Sequence, residues 1–425
     1  MTYRRKKNVG ECRRPARIAD RAFPYATLPH RQGTEDAISL AYPGKKSASE
    51  LFHSIPLTDL ETTGSHGRRR LHHPPNRLIL GDNLCVLSHL LDDTSVAGKV
   101  RLIYIDPPFS TNQTFRGGNG NGRTATISAR EEDTVAYEDK RKGADYLEFL
   151  RQRLLLLREI LADNGSIYLH IDSRIGHYVK LVMDEVFGRD RFINDITRVK
   201  CNPKNFSRNG YGNIKDMILF YAKSKDFLWN EPREEMNEEE AIRLFPKTDR
   251  NGRRYTTTPL HAPGETKKGA TGQPWKGMTP PPGRHWRTPP DELTKMDRMG
   301  LVEWSRTGNP RKKIYADEIL QRGKKVQDVW ELKDPPYPSY PTEKNMSVLQ
   351  RIVGASSREG DLVLDSFAGS GTTLVAAELM ERRWIGIDNS RTAIETAIKR
   401  LNTIPKLSEF VVFQPEGSSV WPPSN

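Results

Sequence analysis

Residues 361–388 have the sequence DLVLDSFAGSGTTLVAAELMERRWIGID, in which a strand, a glycine turn, a helix and a second strand follow in close succession. The apolar runs at its two ends predict two buried strands, at 361–365 and 383–388. The segment between them, 372–382, has the composition of a helix. A strand, a crossover helix and a second strand within 28 residues predict an α/β fold with a mainly parallel sheet.

The glycine turn of this unit suits a nucleoside cofactor that is held by the backbone. Gly369 and Gly371 let the chain approach a ligand without a Cβ clash, and a helix opening at Thr372 points backbone N–H groups toward an anionic group. Asp388, at the end of the second strand, is placed to accept hydrogen bonds from both ribose hydroxyls. The spacing departs from G-x-G-x-x-G and the lysine of a P-loop is missing, which favours S-adenosylmethionine over nicotinamide cofactors and ATP. A tight turn chosen for packing alone remains the alternative.

A second motif, Asp106-Pro107-Pro108-Phe109, follows the apolar strand 100–105. Asp106 and the main-chain carbonyl of Pro107 are expected to accept hydrogen bonds from one amino group, and the two prolines fix the direction of that carbonyl. These two hydrogen bonds favour a pyramidal amino nitrogen. The carboxylate then stabilises the positive charge that develops on this nitrogen when a methyl group arrives. Phe109 gives the base a stacking face, worth about 1–3 kcal/mol. The alternative is that these four residues form only a rigid turn after a strand. An acidic side chain directly after so apolar a strand makes this alternative the weaker one.

The remaining chain continues the α/β pattern on both sides of a different region. Residues 225–340 are rich in Pro, Gly, Lys and Trp and give only short helical signals, at 290–299 and 315–321, so we interpret them as an insert. Residues 110–143 contain a Gly/Asn-rich run and few apolar anchors, and they are expected to form a loop. Elsewhere the periodicity predicts strands at 77–80, 100–105, 166–171, 193–199 and 216–222, and helices at 86–91, 146–161, 175–187, 345–357 and 390–402.

The composition argues against several classes of protein. The 425 residues are 36% hydrophobic and contain no uninterrupted apolar stretch of 18, so no membrane span is expected. No apolar run follows the basic N-terminus, so a secretory signal is not expected either. Cys12, Cys85 and Cys201 lie far apart, which fits a reducing cytoplasm and predicts neither a disulfide framework nor a metal site.

Positive charge is concentrated in two segments of the chain. Residues 250–325 hold 17 Lys and Arg against 7 Asp and Glu, a net charge of +10, and the first 70 residues hold 14 against 7. A localised positive field favours a polyanion partner such as nucleic acid, and a soluble basic surface with no partner is the alternative. Together with the two motifs and their order, it indicates an enzyme that methylates an amino group on a DNA base.

These motifs resemble those of the β-class amino DNA methyltransferases, in particular the type III modification subunits, over about residues 76–402. The matching segments include Leu80–Asn83, Asp106–Phe109, Gly165–Asp172, Asp328–Trp330, Tyr340–Lys344 and Asp365–Thr373. The resemblance implies an α/β, S-adenosylmethionine-dependent, Rossmann-like methyltransferase sheet, circularly permuted, with an inserted target-recognition region. Composition and the resemblance together predict four parts: a basic, partly disordered arm (1–75), the catalytic half (76–224), the target-recognition insert (225–340) and the cofactor-binding half (341–425).

The motifs and the resemblance together give a set of candidate site residues. The cofactor candidates are Asp82, Thr342, Lys344, Asp365, Phe367, Gly369, Gly371, Thr372, Thr373 and Asp388. The candidates for DNA contact are Arg284, His285, Trp286, Arg287, Arg311, Lys312 and Lys313, most of them for phosphate. The alternative is a solvated basic face, with Trp286 in the core of the insert. The chain departs from the family in having Tyr340 where members usually have His, and Asn345 where they have Pro.

The leading hypothesis is methylation of adenine N6 in a specific sequence of double-stranded DNA after base flipping. Methylation of cytosine N4 is the alternative with the same chemistry, and a DNA-binding protein with an inactive methyltransferase fold is the alternative from another class. A small-molecule or protein substrate is disfavoured by the charge of the insert. The family also implies two possible partners, a restriction subunit and a second copy of the chain.

Overall fold

The computed structural model of the chain describes residues 40–55, 58–69, 74–108, 114–117, 134–138, 143–203, 207, 209–266, 268–335 and 343–418. These residues form two compact units. We call them the sheet unit, which lies within 1–230 and 327–425, and the inserted unit, 231–326.

The helices are α1 (Ala48–Ser54), α2 (Asn83–Asp92), α3 (Gly143–Ile160), α4 (Ser173–Phe187), α5 (Glu238–Leu244), α6 (Pro290–Arg298), α7 (Ala316–Arg322), α8 (Met346–Ser356), α9 (Thr372–Leu379) and α10 (Arg391–Leu401). The strands are β1 (Leu60–His66), β2 (Asn76–Leu80), β3 (Val100–Ile105), β4 (Thr114–Gly117), β5 (Thr134–Glu138), β6 (Leu161–Ile171), β7 (Phe192–Val199), β8 (Lys215–Ala222), β9 (Arg233–Glu234), β10 (Lys247–Thr248), β11 (Arg254–Pro259), β12 (His261–Pro263), β13 (Arg284–Trp286), β14 (Val302–Trp304), β15 (Pro310–Tyr315), β16 (Lys324–Lys325), β17 (Val329–Trp330), β18 (Leu362–Asp365), β19 (Arg383–Asp388) and β20 (Phe410–Pro415).

A ten-stranded sheet forms the centre of the sheet unit, in the order β1-β20-β2-β19-β18-β3-β6-β8-β7-β17. In this order, the strands from β20 to β6 run parallel to one another, and β8 is antiparallel to both β6 and β7. This arrangement confirms the predicted α/β class, with the strand before the glycine turn, β18, at the middle of the sheet although it comes late in the chain. The chain is therefore permuted, as the resemblance implies.

The direction of the connections changes between β18 and β3. From β3 the chain passes through α3 to β6 on one side, and from β18 it passes through α9 to β19 on the other. In open α/β sheets the crevice at such a switch point, beyond the carboxyl ends of the strands, is where ligands bind. The two motifs follow β18 and β3 directly, so the fold brings them to this crevice.

Buried apolar side chains explain why these segments form the central sheet. β3 and β18 are almost completely buried, as expected for parallel strands covered by helices on both faces. The long helix α3 contributes a row of buried leucines, among them Leu150, Leu154 and Leu157. Within the described residues, no helix combines the length and the apolar character that crossing a membrane requires.

Two segments differ from what the sequence predicts. The end of the expected basic arm is structured: β1 pairs antiparallel with β20, and Leu51 and Phe52 of α1 are buried against the sheet unit's core. The expected loop 110–143 contains the antiparallel pair β4 and β5. Both differences arise from short segments, in which a few apolar or β-branched residues give too little periodicity to detect.

The inserted unit has its own small core. Its largest sheet has the order β10-β11-β15-β14, and one apolar cluster is formed by Leu260, Trp275, Trp286, Leu293 and Val302. The helices predicted at 290–299 and 315–321 are present as α6 and α7.

Candidate active site

Aspartates mark the carboxyl ends of three neighbouring parallel strands. Asp388 ends β19, Asp365 ends β18, and Asp106 follows the last residue of β3. The sheet order places these strands side by side across the switch point. The edge of the sheet is therefore acidic where a ligand is expected.

The turn after β18 is held by hydrogen bonds to two of these carboxylates. Asp365 accepts from the Phe367 N–H at 3.0 Å and from the Thr373 hydroxyl at 2.6 Å. Asp388 accepts from the Gly369 N–H at 2.8 Å and from the Ser390 N–H at 2.8 Å. The sequence predicts that the N–H groups of the turn face the cofactor. The structure differs for Phe367 and Gly369, because their N–H groups bond to aspartates of the protein.

Glycine is required at the start of α9. Gly371 has φ +76°, in the left-handed region, and a Cβ atom there would lie 2.9 Å from the Cβ of Ala397 on α10. Gly369 also has a positive φ, of +52°. The turn thus follows a path that residues with a side chain rarely adopt, and α10 packs directly against it.

Arg400, which the sequence analysis missed, connects the turn to the segment before α8. Its Nη1 donates to the Ser370 carbonyl at 3.0 Å and to the Thr372 hydroxyl at 2.8 Å. Its Nη2 forms an ion pair with Glu343 at 2.9 Å. The hydroxyls of Thr372 and Thr373 are therefore both used to brace the turn. Arg400 lies 28 residues after Thr372, where an arginine on a helix looks like an ordinary surface residue.

Asp82 is connected to the same turn through Asn83 and Arg153. It caps α2, is 57% exposed, and accepts from Arg153 at 2.9 Å. Asn83 donates to the Ser366 carbonyl at 2.6 Å. The guanidinium of Arg153 lies over the ring of Phe149, 3.6 Å from its centre, and that ring contacts Phe367 edge to face. The structure therefore brings Asp82 and Phe367 into one neighbourhood.

The electrostatics of the turn fit a cationic ligand. Burial raises the pKa of Asp365 to about 7, with the nearby Asp106 and Asp388 carboxylates adding to the effect and the hydrogen bonds from Thr373 and Phe367 opposing it. Burial also raises the pKa of Asp388. A positive group beside these carboxylates would stabilise their ionised forms. S-adenosylmethionine carries a sulfonium and an ammonium group, so the residues fit it.

Asp106 has a different environment. Its Oδ2 forms an ion pair with Lys344 at 2.7 Å, in which the side chains are 17% and 10% exposed. Its Oδ1 is buried and has no hydrogen-bond partner within the described part of the chain. Lys344 is thus placed beside the second motif, although the resemblance assigns it to the cofactor. The candidates Phe109 and Thr342 lie outside the described residues.

A buried polar network joins residues of β3, β6 and β8. The Tyr104 hydroxyl lies 2.9 Å from His170 Nδ1, and His170 Nε2 lies 3.2 Å from Asp216. Burial lowers the pKa of His170, although Asp216 opposes this. A neutral ring with its proton on Nε2 satisfies both contacts. Asp216 also accepts from Lys200 at 2.6 Å.

Comparison with known proteins identifies the family. Residues 100–399 match the DNA methylases of the N6/N4 type. The chain is 42% identical over 369 residues to the type II methyltransferase M.EcaI of Enterobacter cloacae, covering 85% of this chain and 77% of that protein. The chain belongs to the N6/N4 DNA methylase family. It is therefore a DNA methyltransferase whose cofactor is S-adenosylmethionine.

More distant similarities extend over much of the chain. The Mod subunit of the type III restriction-modification enzyme EcoPI, from Escherichia phage P1, is 26% identical over 428 residues. The match covers 84% of the methylase described here and 63% of that subunit. Among solved structures, the M1.HpyAVI–SAM complex matches 77% of this chain and 98% of its own, with 17% identity and a TM-score of 0.41.

The inserted unit of this DNA methylase holds the candidates for DNA contact, and the prediction for Trp286 is wrong. Its side chain is 2% exposed, packs against Trp275 and donates through Nε1 to the Gln273 carbonyl at 3.0 Å. Its position between basic residues suggested a contact. In the folded unit, however, its large apolar ring supplies part of the small core.

Three of the predicted arginines form a cluster around His261. Arg284 Nη1 lies 3.2 Å from His261 Nδ1, and the charges of Arg284, Arg287 and Arg311 add to burial in lowering the pKa of that histidine. Arg311 also donates to the side chain and carbonyl of Thr257, at 2.8 and 2.9 Å. We call Arg284, Arg287 and Arg311 the arginine cluster.

The other predicted contacts lie nearby in the inserted unit. His285 Nδ1 lies 2.7 Å from the Gly264 carbonyl. Lys312 is exposed, and the Lys313 ammonium lies 5.2 Å from the centre of the Tyr255 ring. Neighbours in β15 point to opposite faces of the sheet, so these two lysines do not form one surface.

Ion pairing separates the arginine cluster from many other basic residues of the unit. Among the described residues, no carboxylate forms an ion pair with Arg284, Arg287 or Arg311. In contrast, carboxylates pair with Lys247, Arg253, Lys276, Lys295 and Lys324. The positive charge that the sequence places in this region is thus partly neutralised within the unit, and the cluster is among the groups that the described carboxylates do not neutralise.

Proposed function

We propose that this DNA methyltransferase methylates the exocyclic N6 of adenine in a specific sequence of double-stranded DNA. The observation that carries the proposal is the Asp106 carboxylate, with one oxygen held by Lys344 and the other buried without a partner in the described part of the chain. A buried acceptor left unpaired costs free energy. The amino group of a flipped base would satisfy it.

The proposed reaction needs little from the protein beyond position and charge. The bound cofactor supplies an electrophilic methyl group on its sulfonium sulfur. Asp106 Oδ1 and the Pro107 carbonyl each accept an N–H of the amine, which turns the nitrogen lone pair out of the ring plane. The methyl C–S bond would break as the new N–C bond forms, which would leave S-adenosylhomocysteine as a neutral thioether. The nitrogen becomes cationic in this step and then loses one proton to water. The Asp106 carboxylate stabilises this cation more than the neutral amine, so it lowers the barrier.

Access to the amine requires the base to leave the duplex. Base flipping costs a few kcal/mol, and Phe109 is proposed as the stacking face that compensates for part of this cost. Asp365, Asp388 and the turn between them are proposed to hold the cofactor, which is supported by the acidic, buried surroundings of both carboxylates.

We assign DNA contact mainly to the inserted unit. The arginine cluster is supported by its lack of ion pairs, since an arginine without a carboxylate partner keeps its full charge for phosphate or guanine. Trp286 is removed from the set because it is buried. Lys312 points to the opposite face of β15 from Arg311, so it is not assigned to the same contact surface.

The experiment that tests this function is long-read sequencing of DNA from a methylation-free host that expresses the protein. The expected result is a modified adenine within one repeated motif, absent when Asp106→Ala is expressed instead. Mass spectrometry of the digested DNA identifies the product nucleoside. N4-methylcytosine in place of N6-methyladenine would overturn the assignment of the base, and modification by Asp106→Ala would overturn the role of that residue.

Partners and location are proposed from weaker support. A restriction subunit is suggested by the similarity to the EcoPI Mod subunit, which is part of a restriction-modification enzyme. A second copy of the chain is suggested by the family resemblance alone. The cytoplasm is proposed because the substrate is DNA. Sedimentation of the purified chain, with and without DNA, tests the homodimer.

A further inference from the structure

The position of Lys344 in the site differs from the one that the sequence resemblance implies. The resemblance assigns it to the cofactor, whereas its Nζ lies 2.7 Å from Asp106 Oδ2. Both side chains are largely buried, so solvent screens the pair only weakly. An ion pair to the residue proposed to grip the target amine raises the question of what the lysine does there.

Three carboxylates keep Lys344 charged. Burial would lower the pKa of Lys344, but Asp106, Asp334 and Asp216 outweigh it and raise that pKa above its usual value. Two of these acids are themselves fixed: Asp216 by His170 and Lys200, and Asp334 by an ion pair with Arg198. The charge of the lysine is therefore stabilised by two other acids of the protein as well as by its ion pair with Asp106.

The pair divides the two oxygens of Asp106 between two tasks. Oδ2 points to Lys344, while Oδ1 is buried and has no partner among the described residues. A carboxylate on a strand end otherwise rotates about its terminal torsion, which is broad and roughly two-fold. Holding one oxygen fixes the direction of the other.

We propose that Lys344 is a positioning residue for methyl transfer, which holds Asp106 Oδ2 so that Oδ1 is presented to the target amine. This inference rests on the proposed role of Asp106. It predicts that Lys344 acts on the rate of methyl transfer through Asp106, with little effect on cofactor binding. A small displacement of a reacting group is enough to cost about 100-fold in rate.

The test is a double-mutant cycle with Lys344→Met and Asp106→Asn. Single-turnover methylation is measured at saturating cofactor and DNA, and the Kd of S-adenosylmethionine is measured by calorimetry. For Lys344→Met we expect a rate about 10-fold to 100-fold below wild type with nearly unchanged cofactor affinity. The double variant is expected to be no slower than Asp106→Asn alone, because the lysine has nothing left to position.

Two results would overturn the inference. One is a loss confined to cofactor affinity, which would return Lys344 to the cofactor site. The other is a double variant whose loss is the product of the two single losses, since the two residues would then act independently. A wild-type rate in Asp106→Asn is a different failure, because it would refute the proposed role of Asp106 itself.

Matched variants control for damage to the fold. Lys45→Met removes another partly buried lysine, paired with Glu185 at 2.6 Å, and is expected to keep the wild-type rate. If Lys344→Met does not fold, Lys344→Arg is measured instead. Its longer, planar cation displaces the carboxylate, so slower methylation with retained cofactor affinity is expected, and an unchanged rate would contradict the inference.

Discussion

At the end of β18 both oxygens of Asp365 accept hydrogen bonds from the protein, whereas at the end of the neighbouring β3 only Oδ2 of Asp106 has a partner among the described residues. We call these two regions the turn side (Asp365–Thr373 with Asp388) and the Asp106 side. On the turn side, the oxygens of both carboxylates accept hydrogen bonds from the protein itself, while the buried Ser366 Oγ has no hydrogen-bond partner among the described residues. The Asp106 side is built around one unsatisfied acceptor.

This difference corresponds to the two ligands that a DNA methyltransferase must handle. A cofactor of constant structure is served by a rigid, preformed cradle, which reduces the entropy lost on binding. A base that enters only after flipping is served by an acceptor whose hydrogen bond forms with the substrate and strengthens in the transition state. If the comparison is correct, substitutions on the two sides should separate cofactor affinity from the rate of methyl transfer.

The largest expected effect is on the Asp106 side. Asp106→Asn keeps the size of the side chain but removes its charge, so the developing cation loses its stabilisation. We expect the single-turnover rate to fall by about 10²-fold to 10⁴-fold, with cofactor affinity little changed. Rapid-quench methylation assays and calorimetry measure the two quantities. A matching loss of cofactor affinity would contradict the separation of the two sides.

The next largest effect is expected on the turn side, from Gly371→Ala. The new Cβ would lie 2.9 Å from that of Ala397 and would occupy a left-handed conformation. We expect weaker cofactor binding and a loss of about 1–3 kcal/mol in the free energy of unfolding, both measurable by calorimetry. Gly360→Ala is the control, because it has a similar φ of +78° but nothing near the added Cβ. Equal cofactor affinity in both variants would show that the close packing at Gly371 is unimportant.

The pH dependence of cofactor binding gives a smaller effect. Because burial raises the pKa of Asp365 to about 7, this carboxyl is largely protonated at pH 6, and a cationic ligand favours the ionised form. Binding should therefore release a proton, and affinity should increase about tenfold between pH 6 and pH 8. The raised pKa of Asp365 also affects the free energy of unfolding of the ligand-free protein. The protonated carboxyl stabilises the fold at low pH, and this contribution is lost as the pH rises through 7.

Calorimetry in buffers of different ionisation enthalpy measures this proton release. Asp365→Asn is the reference, since its amide does not titrate and any remaining pH dependence belongs to other groups. If wild type and Asp365→Asn change in parallel between pH 6 and pH 8, the turn side does not use this carboxyl in the way proposed.

The sequence predicts the parts of the site that are local in the chain. The strands that end at Asp365 and Asp388, and the apolar strand before Asp106, are visible because hydrophobic runs and turn residues lie within a few positions of each other. Arg400 and Arg153 are not visible in this way. Each lies on a helix far along the chain, and only the fold shows that it is directed at the turn or at Asp82.

Two other residues show the limit of reasoning by position. Lys344 lies in a segment that resembles a cofactor motif, but the structure pairs it with Asp106. Trp286 is flanked by basic residues, but the inserted unit needs it for its core. In both cases the partners of the side chain lie outside the motif in which it stands, so the spacing within the motif carries no information about them.

The smallest expected effect lies in the inserted unit, where the same contrast between satisfied and unsatisfied groups recurs. Arg287 belongs to the arginine cluster and has no ion pair among the described residues, whereas Lys295 is paired with Glu292 at 2.6 Å. A phosphate contact made by Arg287 would release about one counterion. Arg287→Ala should therefore reduce the slope of log affinity against log salt by about 1, while Lys295→Ala leaves it nearly unchanged. Fluorescence anisotropy with labelled duplex DNA at several salt concentrations measures both slopes. Equal slopes in the two variants would mean that the absence of a carboxylate partner does not mark the DNA-facing residues, and the assignment of the cluster would fail.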